Sequence, residues 1–242
     1  MAEVEEMFVL PEIRRPPGLP AHQRGLATLR GSTMPAIDLR VCLGLDSAST
    51  ELESVLALCD ERERDHREWL TALEASVREN RPFELATDPR KCKFGRWYYS
   101  LKAADAVLRG ELARLEQPHA ATHALAGQVE ALKANGRQQE ALGILERARQ
   151  GLLEDLGQRF EQVRRALREQ QHEIGVKTAI HGKRTVLIVD RAEAVADLER
   201  ISDADDPLVS GEMQADLVYR MARWSGASAP VMLLDLERVA VF

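Results

Sequence analysis

Hydrophobic and polar positions follow two different rhythms along this chain. Residues 1–46 carry short apolar runs cut by prolines and glycines. Pro11, Pro16, Pro17, Pro20 and Pro35 exclude long helices, and Gly25 and Gly31 punctuate strands. Residues 26–29 and 34–39 read as short β-strands around a Gly31-Ser32 turn. From residue 47 the spacing changes to three and four. Leu52, Val55, Leu56, Cys59, Glu63, His66 and Leu70 share one face of a helix that starts at Glu51, capped by Ser49 or Thr50. A loop over 81–89, closed by two prolines, separates it from helices over 97–115, 119–134 and 138–172. The last carries Leu142, Leu145, Leu152, Leu156, Phe160, Val163 and Leu167 on one stripe, and the "KANGR" stretch at 133–137 is a helix stop. Four amphipathic helices with short joints imply an antiparallel bundle. Residues 175–242 return to β rhythm, with two strands around a Gly182-Lys183 turn and a later strand in "PVMLLDLERVAVF" leading into a short terminal element. That last stretch echoes "MPAIDLRVCLGL" near the start. The pattern predicts an α+β chain in three segments, 1–46, 47–174 and 175–242, in which a β-fold is interrupted by a helical bundle.

Composition narrows the function classes. Charged residues make up 30% and hydrophobic ones 45%, enough for a core, while aromatics at 5% favour helix over large sandwiches. The net charge of −6 gives no basic footprint, so nucleic-acid binding is not expected. No apolar run approaches the ~20 residues that span a bilayer, and the acidic start "MAEVEEMFVL" is unlike a signal peptide. A cytoplasmic protein without membrane insertion is expected. Three cysteines in that compartment point away from a disulfide framework and leave metal or redox chemistry open.

The chemistry-bearing residues concentrate in the helical segment. "HAATH" sets His119 and His123 four apart, on one helix face and able to share a metal. His66 lies on the first helix and Cys92 lies in "KCKFGRWYY". Long intervals in an antiparallel bundle return the chain to a similar height, so His66 and Cys92 could complete a tetrahedron. One thiolate and three imidazoles suit Zn2+ and disfavour Mg2+ or Ca2+. Spacing alone leaves the other reading open, that these are unrelated core and surface residues. Cys42 and Cys59 sit in apolar surroundings and read as small buried hydrophobes. There is no Gly-rich phosphate loop, no nucleophile elbow and no Glu between the paired histidines, and four protein ligands would leave zinc no open position. A non-enzymatic protein is expected.

"DHREWL" at 65–70, "CKFGRWY" at 92–98 and "HAATH" at 119–123 resemble the chemoreceptor zinc-binding (CZB) domain. The resemblance covers the helical middle. It implies zinc ligation by His66, Cys92, His119 and His123, a role in zinc sensing and, in some members, thiol oxidation by hypochlorous acid. Gly95 would let the chain turn just after the cysteine, and Trp69, Phe94 and Trp97 would pack around the metal.

The flanks resemble a second family. "RGLATLRGSTMPAIDLRVCLGL", "KRTVLIVDRAEAVADLERI" and "APVMLLDLERV" are similar to the CheW-like adaptors that couple chemoreceptors to the histidine kinase CheA, although Thr28 stands where that pattern has Asn. The resemblance implies two small five-stranded β-barrels packed side by side, with the CZB-like bundle inserted between their parts. The family begins about two strands earlier, so either the true start lies upstream or the first barrel is incomplete, with edges open to a partner or a second copy. Arg30 and Gly31, in the "LRG" element, would face the receptor.

The expectation is therefore a cytoplasmic chemotaxis adaptor that binds a chemoreceptor cytoplasmic tip and the regulatory domain of CheA. Zinc or oxidant would modulate it through the inserted bundle. The alternative is a stand-alone zinc- or redox-sensing protein whose flanks serve only to form a homodimer.

Overall fold

The computed structural model describes residues 4–100, 106–209, 216–226 and 229–239. The chain is mixed α+β and divides into two compact units, one from Met1–Glu51 with His172–Phe242, the other from Leu52–Gln171. The second is therefore inserted in the sequence of the first. No helix among the described residues is long and apolar enough to cross a membrane.

In the first unit, β1 (Val4–Val9), β2 (Ile13–Arg14), β3 (Gln23–Leu29), β4 (Ser32–Asp38), β5 (Ile174–Ile180) and β6 (Lys183–Val189) form one sheet in the order β1-β5-β6-β4-β3-β2. The sheet is antiparallel except where β4 pairs parallel with β6 through Ala36 and Val186. The β3–β4 and β5–β6 hairpins close with two-residue turns. Leu29 pairs with Ser32 and Ile180 with Lys183, so the turns are Arg30-Gly31 and His181-Gly182, one residue earlier than expected. All four turn residues have positive φ, the backbone whose twist matches that of the flanking strands.

The central strands are covered on both faces. Met34, Ala36, Val186 and Ile188 face one core, while Ile37, Leu187 and Ile180 face another. This explains their unbroken apolar runs. Phe8 of β1 and Ile13 of β2, from opposite ends of the strand order, pack on the same core. Glu6 of β1 also pairs with Arg30 of the β3–β4 turn at 2.7 Å.

A smaller sheet holds β7 (Glu199–Arg200), β8 (Val218–Arg223) and β9 (Val231–Leu234). The sequence echo is a structural one. β4 ends at Asp38, whose carboxylate accepts from Val41 N–H and caps α1 (Leu39–Cys42). β9 ends one residue before Asp235, which likewise caps the 3-10 turn Leu236–Arg238. The final residues of that expected terminal element, 240–242, lie outside the described residues.

The helical unit contains more segments than the four predicted. α2 (Ala48–Arg78) is capped by Ser47, whose Oγ accepts from Thr50 N–H at 3.1 Å, rather than by Ser49 or Thr50. The expected 97–115 helix is α3 (Lys93–Tyr98) and α4 (Ala106–Ala113), and residues 101–105 between them lie outside the described set. α5 (Glu116–Ala134) ends where "KANGR" predicts. Gly136 N–H bonds to Lys133 C=O and Arg137 N–H to Leu132 C=O, with Gly136 at φ 71°. The expected 138–172 helix is α6 (Gln138–Gln150) and α7 (Leu152–Gln170), parted at Gly151, whose ψ of −71° departs from regular helix. The break changes which leucines face inward: Leu145, Leu153, Leu156, Phe160 and Val163 are buried, whereas Leu142, Leu152 and Leu167 are only partly so. These side chains join Cys59, Leu70, Leu73, Val77 and Phe94 in one core.

Candidate metal centre

Three elements of the helical unit deliver four side chains to one point. α2 buries a stripe of Cys59, Arg62, His66, Trp69, Leu70, Leu73 and Val77, and His66 lies in its middle. α5 presents His119 and His123 one turn apart, both buried. Cys92 is the N-cap of α3, its Sγ accepting from Gly95 N–H at 3.1 Å. One ligand atom from each of His66, Cys92, His119 and His123 lies within 4.8 Å of all the others. Cys42 and Cys59 are free thiols outside this cluster, and burial pushes the Cys59 thiol up to about 11.

The hydrogen bonds fix which imidazole nitrogens face inward. His66 Nδ1–H donates to Arg62 C=O at 2.6 Å, and His123 Nδ1–H donates to Ala86 C=O at 3.1 Å. Each then keeps its proton-free Nε2 for a ligand. His123 Nε2 is buried with no hydrogen-bond partner among the described residues. His119 Nε2 lies 3.2 Å from Cys92 Sγ.

Burial holds all three imidazoles neutral. His66 is lowered below its ordinary value. His119 falls to about 3 and His123 to about 4, mainly by burial and then by their neighbouring imidazoles. The Cys92 thiol is raised by burial, with the Gly95 and Phe94 N–H groups opposing. Neutral imidazoles need no proton removed before binding a metal, and the N–H groups at the start of α3 favour the thiolate once the metal displaces its proton.

The donor set fits zinc. Zinc bonds of ~2.0–2.3 Å set tetrahedral ligand atoms about 3.5 Å apart, so side chains already within 4.8 Å need little movement. His123 Nε2, buried beside the His66 and His119 rings and without a hydrogen-bond partner among the described residues, is a group a metal would satisfy.

The packing residues expected around the site divide by what they touch. Phe94 lies edge-on to His119 at 4.7 Å and to His66 at 5.7 Å between ring centroids. Trp69 lies 4.9 Å from His123. Gly95 supplies the N–H to Cys92 and has no room for a side chain, since a Cβ there would sit 1.9 Å from Pro89 O. Trp97 packs on Phe94 at 5.7 Å. Arg30 and Gly31 belong to the other unit, at an exposed hairpin tip where Arg30 is 80% exposed.

Sequence reasoning missed the carbonyls of Arg62, Ala86 and Pro89 and the ring of Phe83. Backbone acceptors have no residue-type signature, and one phenylalanine in a loop carries no periodicity. A cleft of about 330 Å3, lined by Asp65, His66, Trp69, Ala86, Cys92 and His123 among others, opens beside the thiol.

A family model for the chemoreceptor zinc-binding domain matches residues 66–130, which include all four clustered side chains. A model for the CheW-like domain matches residues 1–67, covering β1 to β4 and running into α2. No curated protein and no solved structure matches the chain. The chain therefore matches a CheW-like domain over its start and a chemoreceptor zinc-binding domain over its helical middle, which support a role in chemotaxis signalling, with a four-residue His/Cys cluster able to hold the metal.

Proposed function

We propose that this chain is a non-enzymatic, cytoplasmic chemotaxis adaptor whose coupling of chemoreceptors to CheA is modulated by a zinc ion held by His66, Cys92, His119 and His123. The observation that carries the reading is the convergence of those four ligand atoms within 4.8 Å, in a helical unit inserted in the sequence of a CheW-like β unit. The helical unit is read as an antiparallel four-helix bundle, with the α3–α4 and α6–α7 stretches each standing for one of the four helices. The flanks are read as a CheW-like pair of barrels to which residues 175–242 contribute. Support comes from β5 and β6 completing the sheet of β1–β4, and from Phe8 and Ile13 meeting in one core from opposite ends of that sheet.

Trp69, Phe94, Gly95 and Trp97 shape the zinc site. Arg30 and Gly31, at the hairpin tip, contact the receptor. Oxidation of the half-buried Cys92 would remove a ligand and act as zinc loss does. The test is a titration of receptor tip and kinase regulatory domain into zinc-loaded, chelated and hypochlorite-treated protein. A difference of about 5- to 150-fold in affinity is expected, the usual range of allosteric coupling. Equal affinity in all three states reduces the zinc to a structural staple. Undetectable binding in every state removes the adaptor reading.

The edge strand β1 exposes Val4, Met7 and Val9, which favours a second reading in which the flanks dimerise a stand-alone sensor. Sedimentation of a zinc-loaded dimer that binds neither partner would select it.

A further inference from the structure

The loop between α2 and α3 makes one contact whose chemistry reaches the metal site. The carbonyl of Ala86 accepts two hydrogen bonds, from Trp69 Nε1–H at 2.8 Å and from His123 Nδ1–H at 3.1 Å. Trp69 is 5% exposed and stands edge-on to Phe83 of the same loop at 5.1 Å between centroids. A neutral imidazole carries its proton on either nitrogen, and the group that pairs with one nitrogen decides what the other can do. At His123 that group is a loop carbonyl, which by itself could turn away. The indole N–H, held on the long helix α2 and packed in the core, pins it.

We infer that Trp69 is a positioning residue for zinc: by anchoring the Ala86 carbonyl it holds His123 in its Nδ1–H tautomer, with Nε2 turned to the metal. Buried His123 Nε2 has no hydrogen-bond partner among the described residues, so the arrangement leaves its lone pair free to donate to a metal. Partners of this kind change metal affinity about 10- to 100-fold when removed. The role differs from packing, because it depends on one N–H group and not on ring volume. Trp69→Phe keeps an aromatic ring against Phe83 and His123 and removes the donor.

This inference rests on the zinc reading, but its first readout needs no metal. Two-bond 1H–15N spectra of the imidazoles in the full, zinc-free chain report the His123 tautomer. Wild type is expected to show Nδ1–H alone and Trp69→Phe a mixture of both tautomers. In chelator competition with zinc, Trp69→Phe is expected to bind about tenfold more weakly. Phe83→Leu, which loosens the packing and leaves the donor, is expected to stay within about twofold.

A mixture or an Nε2–H tautomer in the wild type overturns the inference, even if Trp69→Phe does not fold. So does a Trp69→Phe protein with a single Nδ1–H tautomer, whether or not its zinc binding is weaker. A wild type that binds no zinc contradicts the zinc reading and leaves the tautomer result to stand or fall separately.

Discussion

Gly95→Ala should weaken zinc binding sharply although it places a better helix former in α3. A Cβ on Gly95 would lie 1.9 Å from Pro89 O, 2.9 Å from Pro89 C and 3.1 Å from Arg90 Cα. All three are backbone atoms, so no side chain can swing away. The Cβ and the Pro89 oxygen must part by about 1.1 Å to reach even 3.0 Å, which real Cβ atoms essentially never undercut. The strained segment carries the ligand: Cys92 Sγ is 3.3 Å from Pro89 O and 3.1 Å from Gly95 N. Zinc bonds tolerate errors of only ~0.2 Å, so a shift of this size displaces the thiolate. The helix-propensity gain of Ala over Gly is at most about 1 kcal/mol, while overpacking costs about 1–3 kcal/mol. A loss of 1.4 kcal/mol is a tenfold change, so the zinc Kd should rise about 10- to 100-fold. Chelator competition measures it, with Gly127→Ala as the contrast. Gly127 lies in α5 with no described atom beyond its own helix backbone within 4 Å of its Cβ position, and the same substitution there should stabilise the protein by about 0.5–1 kcal/mol. Wild-type zinc affinity in Gly95→Ala would refute the argument.

Cys59→Ala should leave zinc stoichiometry intact while lowering stability by about 1–2 kcal/mol, because Cys59 is fully buried but outside the cluster. Elemental analysis and urea denaturation separate the two effects, and zinc loss in Cys59→Ala would contradict the assignment. The zinc-free protein should lose stability as pH falls below about 6.5. His119 and His123 have folded values of about 3 and about 4, so between those and 6.5 the unfolded chain binds more protons. Stability is then full above the unfolded value and declines toward the folded ones. A melting temperature unchanged between pH 7.5 and pH 5 would contradict this. Arg24→Gln should destabilise the sheet unit by about 2 kcal/mol, since Arg24 bridges Asp38, which is 1% exposed, and Glu173. Denaturant midpoints test it, and an unchanged midpoint would show the network to be dispensable.

Spacing made only part of the metal cluster legible, the His119–His123 pair, while the addition of His66 and Cys92 rested on the family resemblance. His119 and His123 are a turn apart on any helix, and His66 falls on the same stripe as Leu70 and Cys59. The hairpins could be read too, but each turn lies one residue early. The positive φ falls on Arg30 and His181, residue types that do not advertise it, ahead of the glycines that do. β1 was hidden by Glu5 and Glu6: as an edge strand it exposes Val4, Met7 and Val9 and partly buries Glu6 with Phe8, so its apolar residues do not mark its inward face. The break between α6 and α7 rests on Gly151, yet Gly143 and Gly157 sit inside helices on either side, so composition could not single it out. The carbonyl of Ala86 had no signal, since only the fold reveals which backbone acceptor faces a histidine.

X-ray absorption at the zinc edge reads the four ligands themselves. One zinc per chain is expected, with one sulfur at ~2.3 Å and three nitrogens at ~2.0–2.1 Å, and with the sulfur lost in Cys92→Ser. A shell of nitrogen and oxygen alone in the wild type, or a sulfur that persists in Cys92→Ser, would contradict it.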